Sequence, residues 1–368
     1  MVELADIFRR HGAAYRAKYG ARMLPSHLKA MTAIECCRTE VLGGQLYQCP
    51  ECGEKRYSYH SCQNRHCPKC QNAAGQAWQE QQQQTLILPV RYFLLTFTLP
   101  EGLRKVARSH QKLVYGLLFR TSAAAAQQLA QDPRFIGGTL GMMGVLHTWT
   151  RALLYHPHVH YLVPGGGLAE DGRAWRSAQD NFLLPVRALS VLFRAKFRDA
   201  LRQTELFAQV PAEVWTQDWV VHCQPVGDGT RALRYLAPYV FRVAISNRRI
   251  LSLVHDQVTF GYTDGRSGQR KTCTLSAEEF IRRFLQHVLP KGFAKVRYYG
   301  FYSPNQRERL TQVRQLLPTA RVPTCERQQL SAPLADTVDM HCPICGQPMQ
   351  LVSTLRPRSR CPPEVLNA

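Results

Sequence analysis

Acidic residues are scarce in this chain: 26 Asp+Glu stand against 47 Lys+Arg, a formal net charge of +21 over 368 residues. That imbalance favours a polyanionic partner, above all nucleic acid. A membrane-surface or ribosome-like protein is also basic, but here the charge is spread along the chain and not gathered in one cluster. Long apolar runs are missing as well. No stretch reaches the ~18 consecutive apolar residues of a membrane span. The first residues carry Glu3, Asp6, Arg9, Arg10, Arg16 and Lys18 in place of the apolar core of a signal peptide. No GxxxxGK[ST] pattern is present, so no ATP site is expected. These absences predict a cytoplasmic protein without a membrane partner. In a reducing compartment its 13 cysteines read as metal ligands or buried thiols, not disulfides. The length and a hydrophobic content of 45% fit a globular chain of two or three domains.

What is present begins with a cysteine-rich head. Residues 1–30 read as amphipathic helices through Leu4, Ile7, Phe8, Tyr15 and Tyr19. Seven of the 13 cysteines then fall between Cys36 and Cys70. Cys49-Pro-Glu-Cys52-Gly53 and Cys67-Pro-Lys-Cys70 are two CxxC knuckles 14 residues apart. That spacing predicts one tetrahedral zinc held by Cys49, Cys52, Cys67 and Cys70. Cys37, Cys62 and His66, with His60 beside them, are left for a second zinc. Four protein ligands leave no open position, so zinc here is expected to be structural. Near the C-terminus Cys342-Pro-Ile-Cys345-Gly is a further knuckle, a candidate third zinc site with partners among Cys325, His341 and Cys361. Lys55, Arg56, Arg65 and Lys69, with Tyr47, Tyr57 and Tyr59, make the head a basic, aromatic candidate for DNA contact. Gln71 onward is glutamine-rich and reads as a connecting helix ended by Pro89.

The middle of the chain alternates buried-strand and helix patterns. Val90–Leu99 reads as a strand, Glu101–Gln131 as one long helix, Thr139–Thr150 as a strand and Val186–Leu206 as an amphipathic helix. In His156-Pro-His-Val-His160 the histidines alternate. Residues two apart on a strand share a face, so His158 and His160 project together with Val159 in the core behind them. They make half of a metal site. Candidates for a third ligand are His147 on the preceding strand, His156 and Gln224. Downstream, Tyr235 and Tyr239 lie four apart on a helical pattern that Pro238 kinks or ends. Two core tyrosines would give the same pattern. Beside a metal, however, a tyrosine hydroxyl is a competent nucleophile toward a phosphodiester.

The His158-Val-His160 strand with a helical Tyr235-xxx-Tyr239 resembles the HUH single-strand endonucleases. The order of RHCPKCQ (65–71), FTLP (97–100), His147-Thr-Trp149, RVAISNRRI (242–250) and RRFLQHVLPKGFAKVRYYGFY (282–302) resembles the rolling-circle transposases of the insertion-sequence ninety-one family, two-tyrosine type. The resemblance spans nearly the whole chain. It implies an α+β fold: an HUH core, an antiparallel sheet with flanking helices, preceded by an N-terminal zinc-binding domain. It also implies a bacterial, nucleoid-associated enzyme that cuts and rejoins single-stranded DNA at transposon ends through a 5′-phosphotyrosine. Tyr235 and Tyr239 would be nucleophiles, and His158, His160 and His147 would hold Mg²⁺ or Mn²⁺. A plasmid replication initiator or relaxase shares this chemistry, and a non-catalytic zinc DNA-binding protein is the third class that the composition allows.

The expected organisation is helices and a zinc domain over 1–75, a connecting helix over 76–89, the nuclease over 90–262, its α/β extension over 263–320 and a tail over 321–368. Ile250–Tyr262 reads as a hairpin turning at His255-Asp256, and Ser276-xx-Glu279 as a capping box. Arg65, Lys69, Arg242, Arg248, Arg249 and Arg297 are candidate DNA-binding cations.

Overall fold

The computed structural model describes residues 2–70, 87–229, 231, 244–265, 267–317 and 340–358. The head opens with helices α1 (Leu4–Tyr19) and α2 (Pro25–Glu35), the latter begun by a proline whose fixed φ suits a first helical turn. Strands β1 (Gly44–Gln48) and β2 (Lys55–Tyr59) follow as an antiparallel hairpin. The connecting helix expected over 76–89 lies outside the described residues except for 87–89, which are not helical.

Next come β3 (Arg91–Thr98), helices α3 (Arg104–Ser109) and α4 (Gln111–Ala130), and strands β4 (Met142–Trp149) and β5 (Tyr155–Pro164). The single helix expected over 101–131 is thus two, because His110 leaves helical geometry at φ −125° and ψ 49°. A small hairpin of β6 (Gly166–Leu168) and β7 (Trp175–Ser177) follows β5. Gly165 is required there: a Cβ would stand 2.9 Å from the Arg91 carbonyl oxygen. Helix α5 (Val186–Arg202) and β8 (Val221–Asp228) come next. Then follow β9 (Ile250–Val254), β10 (Gln257–Thr263), β11 (Arg270–Ser276) and helix α6 (Ala277–Leu285). The β9–β10 turn falls at His255 and Asp256, both at positive φ, as a two-residue hairpin demands. Ser276 caps α6 by accepting the Glu279 amide at 3.3 Å. Strand β12 (Val296–Tyr299), helix α7 (Arg307–Leu316) and strand β13 (Gln350–Leu355) complete the described elements.

Five strands form the central sheet in the order β12-β4-β5-β3-β8, every neighbouring pair antiparallel. Alternation along β3 and β5 gives it two different faces. Phe93, Leu95, Phe97, Val159, Tyr161 and Val163 enter a large core shared with α4 and α5. On α5 the buried stripe is Leu189, Phe193, Phe197 and Leu201, one residue per turn. Each such side chain contributes about 1.5–3 kcal/mol by leaving water. The opposite face is apolar only at one end, through Tyr92, Leu94, Met143, Val145 and Leu162. At its other end it carries histidines.

A second core joins the two ends of the expected organisation. Leu4, Ile7 and Phe8 of α1 and Met31 and Ile34 of α2 pack with Ile250, Val258 and Phe260 of the β11-β10-β9 sheet and with Phe280 and Phe284 of α6. The N-terminal helices therefore rest on distant downstream chain, the Leu4 amide donating to Asn247 Oδ1 across 243 residues, as well as on Cys37 and Cys67. The boundary expected at 262/263 falls within β10, and β12, beyond it, is an edge strand of the central sheet.

Candidate metal centres

Two groups of four cysteines form in the head, and their membership differs from the sequence expectation. Cys37, Cys62, Cys67 and Cys70 make one, and Cys49, Cys52, Cys342 and Cys345 the other. The two knuckles expected to share a zinc are thus parted. The reason lies in the β1–β2 hairpin. Cys49 and Cys52 sit in its turn, whereas Cys62 follows its open end, where Gly44 pairs with Tyr59. Five residues of strand separate the ends by about 17 Å, too far for shared ligands. On its other edge β1 pairs with β13, and this brings the tail knuckle to Cys49. Cys325 and Cys361, suggested as tail partners, lie outside the described residues, and His341 stands outside both groups.

Both groups fit zinc. A tetrahedral ion with bonds of about 2.3 Å separates its sulfurs by about 3.8 Å. The closest sulfur pairs are Cys37–Cys70 at 3.5 Å, Cys62–Cys70 at 3.6 Å, Cys49–Cys345 at 3.4 Å and Cys52–Cys342 at 3.5 Å. In the second group the knuckles are matched. The Gly53 amide donates to the Cys49 carbonyl at 3.0 Å and the Gly346 amide to the Cys342 carbonyl at 2.8 Å, with φ of 74° and 76° at the two glycines. Hydrogen bonds from Cys62 and Cys67 hold the Cys37 thiol far below its usual range, and the same contacts push those two donors up. One thiolate therefore disfavours the next until a cation neutralises them. His66, expected as a ligand, is not one: its Nε2 accepts the Leu289 amide at 3.3 Å, and burial pushes its pKa down to about 3.

The third centre is on the central sheet. His147 of β4 stands directly opposite His158 of β5, so the two share a face, and His160 is two residues along that face. Ring centroids lie 5.3 Å apart for His147–His158, 4.7 Å for His147–His160 and 4.8 Å for His158–His160. Val159 is fully buried behind them. His158 Nδ1 donates to the His156 carbonyl at 2.6 Å. His160 Nδ1 lies 2.8 Å from Thr96 Oγ1, on the strand at its other side. Those bonds leave Nε2 of each ring as the ligand atom and fix its direction. Burial pushes His158 down to about 3 and His160 to about 4, so both rings are neutral and able to donate a lone pair near pH 7.

Thr96 was not singled out from sequence, although its signal was present: a hydroxyl in an apolar strand, on the parity of a neighbouring histidine. His156 is the weaker neighbour. Its ring is 5.2 Å from that of His158, but Arg104 donates to its Nδ1 at 3.1 Å, and it stands outside the three-histidine group. Gln224 pairs with Leu94, which in turn faces Leu162, a step along the sheet from His160.

Tyr235, Tyr239 and Arg242 lie outside the described residues. Of the other candidate DNA-binding cations, most have their donors engaged on the protein. Arg65 donates to the carbonyls of Phe293 at 2.6 Å and Pro290 at 2.8 Å, and Lys69 pairs with Glu3 at 2.5 Å. Arg249 bonds the carbonyls of Gly261 and Arg151, and Arg297 lies over the Phe119 ring at 4.6 Å. Arg248 is exposed.

Two family models match the chain, one described as "Transposase zinc-binding domain" over residues 7–99 and one as "Putative transposase" over residues 141–309. The chain is 41% identical over 373 residues to "Putative transposase y4qJ" of Sinorhizobium fredii, with 94% of this chain and 93% of that protein covered. It is 28% identical over 292 residues to "Transposase for insertion sequence element IS801" of Pseudomonas savastanoi pv. phaseolicola, covering 74% and 70% of the two. No solved structure matches it. These likenesses put the chain among DNA-processing enzymes. It belongs to the insertion-sequence ninety-one family of transposases.

Proposed function

We propose that this transposase cleaves and rejoins single-stranded DNA at transposon ends, with Tyr235 and Tyr239 as nucleophiles and His147, His158 and His160 holding Mg²⁺ or Mn²⁺. The observation that carries the reading is the convergence of three imidazoles on one sheet face, two with Nδ1 committed to a neighbour. Three nitrogen ligands with open positions suit a borderline ion such as Mn²⁺ better than Mg²⁺, which prefers oxygen. Bound there, a divalent ion draws charge from a phosphate oxygen.

The tyrosine Oη attacks the scissile phosphorus and loses its proton. The bond to the 3′ oxygen breaks, and that oxygen leaves as a hydroxyl. The 5′ phosphate stays on the tyrosine as a phosphodiester. One phosphodiester replaces another, so the bond energy is kept and no nucleotide triphosphate is consumed. The returning 3′ hydroxyl, or that of another strand, reverses the step.

The described residues on either side of the tyrosine segment lie at the two ends of the sheet that carries the histidines. Asp228, whose Oδ1 accepts the Arg231 amide at 2.8 Å, pairs with Arg91 at one end of the central sheet. Ala244 belongs to the same apolar cluster as Leu153, in the turn ahead of His156 at the other end. The histidines stand on the strand between these ends. A replication initiator or relaxase would use the same centre, and family membership favours transposition.

The test is adduct formation. With Mn²⁺, the full chain should become covalently attached to a single strand bearing its element's end, seen as a shifted band on a denaturing gel. Tyr235→Phe with Tyr239→Phe should abolish the band. An adduct that survives the double substitution refutes the nucleophile assignment.

A further inference from the structure

A cleft of about 740 Å³ lies where the end of β4 meets the β11-β10-β9 sheet. Its lining includes Trp149, Arg151, Arg248, Tyr262, Arg270 and Lys271, and no Asp or Glu. Arg151, Arg248 and Arg270 are exposed, and Lys271 pairs with Asp264 at 2.5 Å from outside the lining. The walls are held in place. Arg249 reaches across to the Gly261 and Arg151 carbonyls, and Arg151 Nη1 donates to the Thr263 carbonyl at 3.2 Å. Arg249 and Arg151 thus fix the shape and Lys271 is held by Asp264, while Arg248 and Arg270 are presented to whatever enters.

The cleft is continuous with the histidine centre through one side chain. The Trp149 ring lines the cleft and stacks on His147 at 5.3 Å. Positive charge with no acid, two aromatic rings and a terminus at a metal-binding face together match an unpaired polynucleotide. Its phosphates meet the arginines, and its unpaired bases have Tyr262 to stack on.

We infer that this cleft is the channel for the single strand running to the histidine centre, with Arg248 and Arg270 as phosphate contacts and Tyr262 as a stacking platform. The inference rests on the proposed nuclease reading for its direction, and on the cleft alone for its ligand class.

Fluorescein-labelled oligo-dT of 20 nucleotides, read by anisotropy with the zinc-loaded full chain and no added Mn²⁺, tests it without any cleavage. Arg248→Glu with Arg270→Glu should weaken binding on the order of 10–100-fold. The slope of log affinity against log salt should become shallower by about 1.4, since a single strand loses about 0.7 per phosphate contact. Arg248→Ala with Arg270→Ala should give an intermediate loss, and Tyr262→Ala a several-fold loss with an unchanged slope. Arg187→Glu with Arg198→Glu makes the same change of charge at exposed positions of α5, behind the sheet, and should leave affinity within about twofold.

Equal losses in the cleft and α5 pairs, or unchanged binding in the cleft pair at native zinc content, would overturn the channel. So would a 20-base-pair duplex that binds as tightly as the single strand. The two readings fail separately. A wild-type chain that binds through the cleft but forms no adduct removes the nuclease, whereas a cleft pair that binds and reacts like wild type removes the channel.

Discussion

The cysteine groups and the histidine centre are both clusters of metal-binding side chains, yet they are built for opposite ends. Each cysteine group offers four sulfurs, which complete a tetrahedron and leave nothing for a substrate. The histidine centre offers three nitrogens on the surface of one sheet, so an ion there keeps positions for outside ligands. One cysteine group also joins distant chain, Cys52 meeting Cys342 across 290 residues, whereas all three histidines come from adjacent strands of one hairpin. That closed site joins chain segments that share only a small core of Tyr47, Cys49, Cys342 and Met349. An open one needs a rigid platform first, and here the apolar core behind Val159 supplies it.

Removing a ligand from the open site should have the largest effect on chemistry. His160→Ala is expected to lower the rate of Mn²⁺-dependent adduct formation by on the order of 10³-fold, the loss of several kcal/mol of charge stabilisation. Zinc content, measured by mass spectrometry, should be unchanged. If zinc falls with it, the division between closed and open sites is wrong. The converse change is to end the chain at residue 339, which removes Cys342, Cys345 and β13 together. One zinc per chain should be lost and one kept by Cys37, Cys62, Cys67 and Cys70. Because binding energy at such a site is folding energy, thermal unfolding of the head should separate from that of the rest. A truncated chain that still carries two zincs would show that the tail is not a ligand.

These contrasts mark how far the sequence could be read. The HPHVH strand was legible because alternation is a local rule: His158 and His160 on one face follow from strand geometry alone. His147 was legible as a candidate because consecutive strands tend to pair. The cysteine partnership was not. Three chemically equal knuckles, at 49–52, 67–70 and 342–345, give several pairings, and only the position of β1 between β2 and β13 selects one. The cations were harder still. Charge counts describe Arg65, Arg249 and Arg297 alike, but cannot show that their guanidinium groups are spent on carbonyls or a ring within the protein. The basic cleft depends on β4 meeting a sheet 100 residues later, and no local pattern records that meeting.

A third prediction sharpens the meaning of a histidine that is not at the centre. His287 is more deeply buried than His158, but both of its nitrogens are engaged, Nδ1 with Thr148 Oγ1 at 3.2 Å and Nε2 with the Leu153 carbonyl at 3.4 Å. It has no lone pair left for an ion, so it is structural. Burial lowers its pKa from 6.5 to about 4. The folded state thus resists a proton that the unfolded chain accepts, and the stability this neutral ring contributes is full above pH 6.5 and is lost as pH falls toward 4. About 1.4 kcal/mol per pH unit over that interval makes roughly 3 kcal/mol. His287→Gln, which does not titrate, should be destabilised at pH 7.5 and approach wild type near pH 4. Denaturant unfolding at both pH values reads the difference, and a gap independent of pH would mean that His287 is already charged or already wet.

The smallest expected effect falls on the residue one bond removed from the open site. With an ion on Nε2, His160 would carry its proton on Nδ1 and donate it to Thr96 Oγ1, 2.8 Å away, which would aim Nε2 and raise its basicity. Thr96→Val keeps the shape and β-branching of the side chain and removes that acceptor. Mn²⁺ affinity, followed by electron paramagnetic resonance of the free ion, should fall about tenfold, the lower end of the range for such outer partners because His158 keeps its own bond to the His156 carbonyl. At saturating Mn²⁺ the adduct rate should recover most of its wild-type value, which separates this change from His160→Ala. No shift in Mn²⁺ affinity would leave Thr96 as a strand residue that merely packs beside His160. A loss that saturation does not rescue would mean that its hydroxyl meets the reacting strand itself. In a four-thiolate site the same experiment has no counterpart: its ligands carry the full charge themselves, and a single outer bond is a smaller share of what holds the ion.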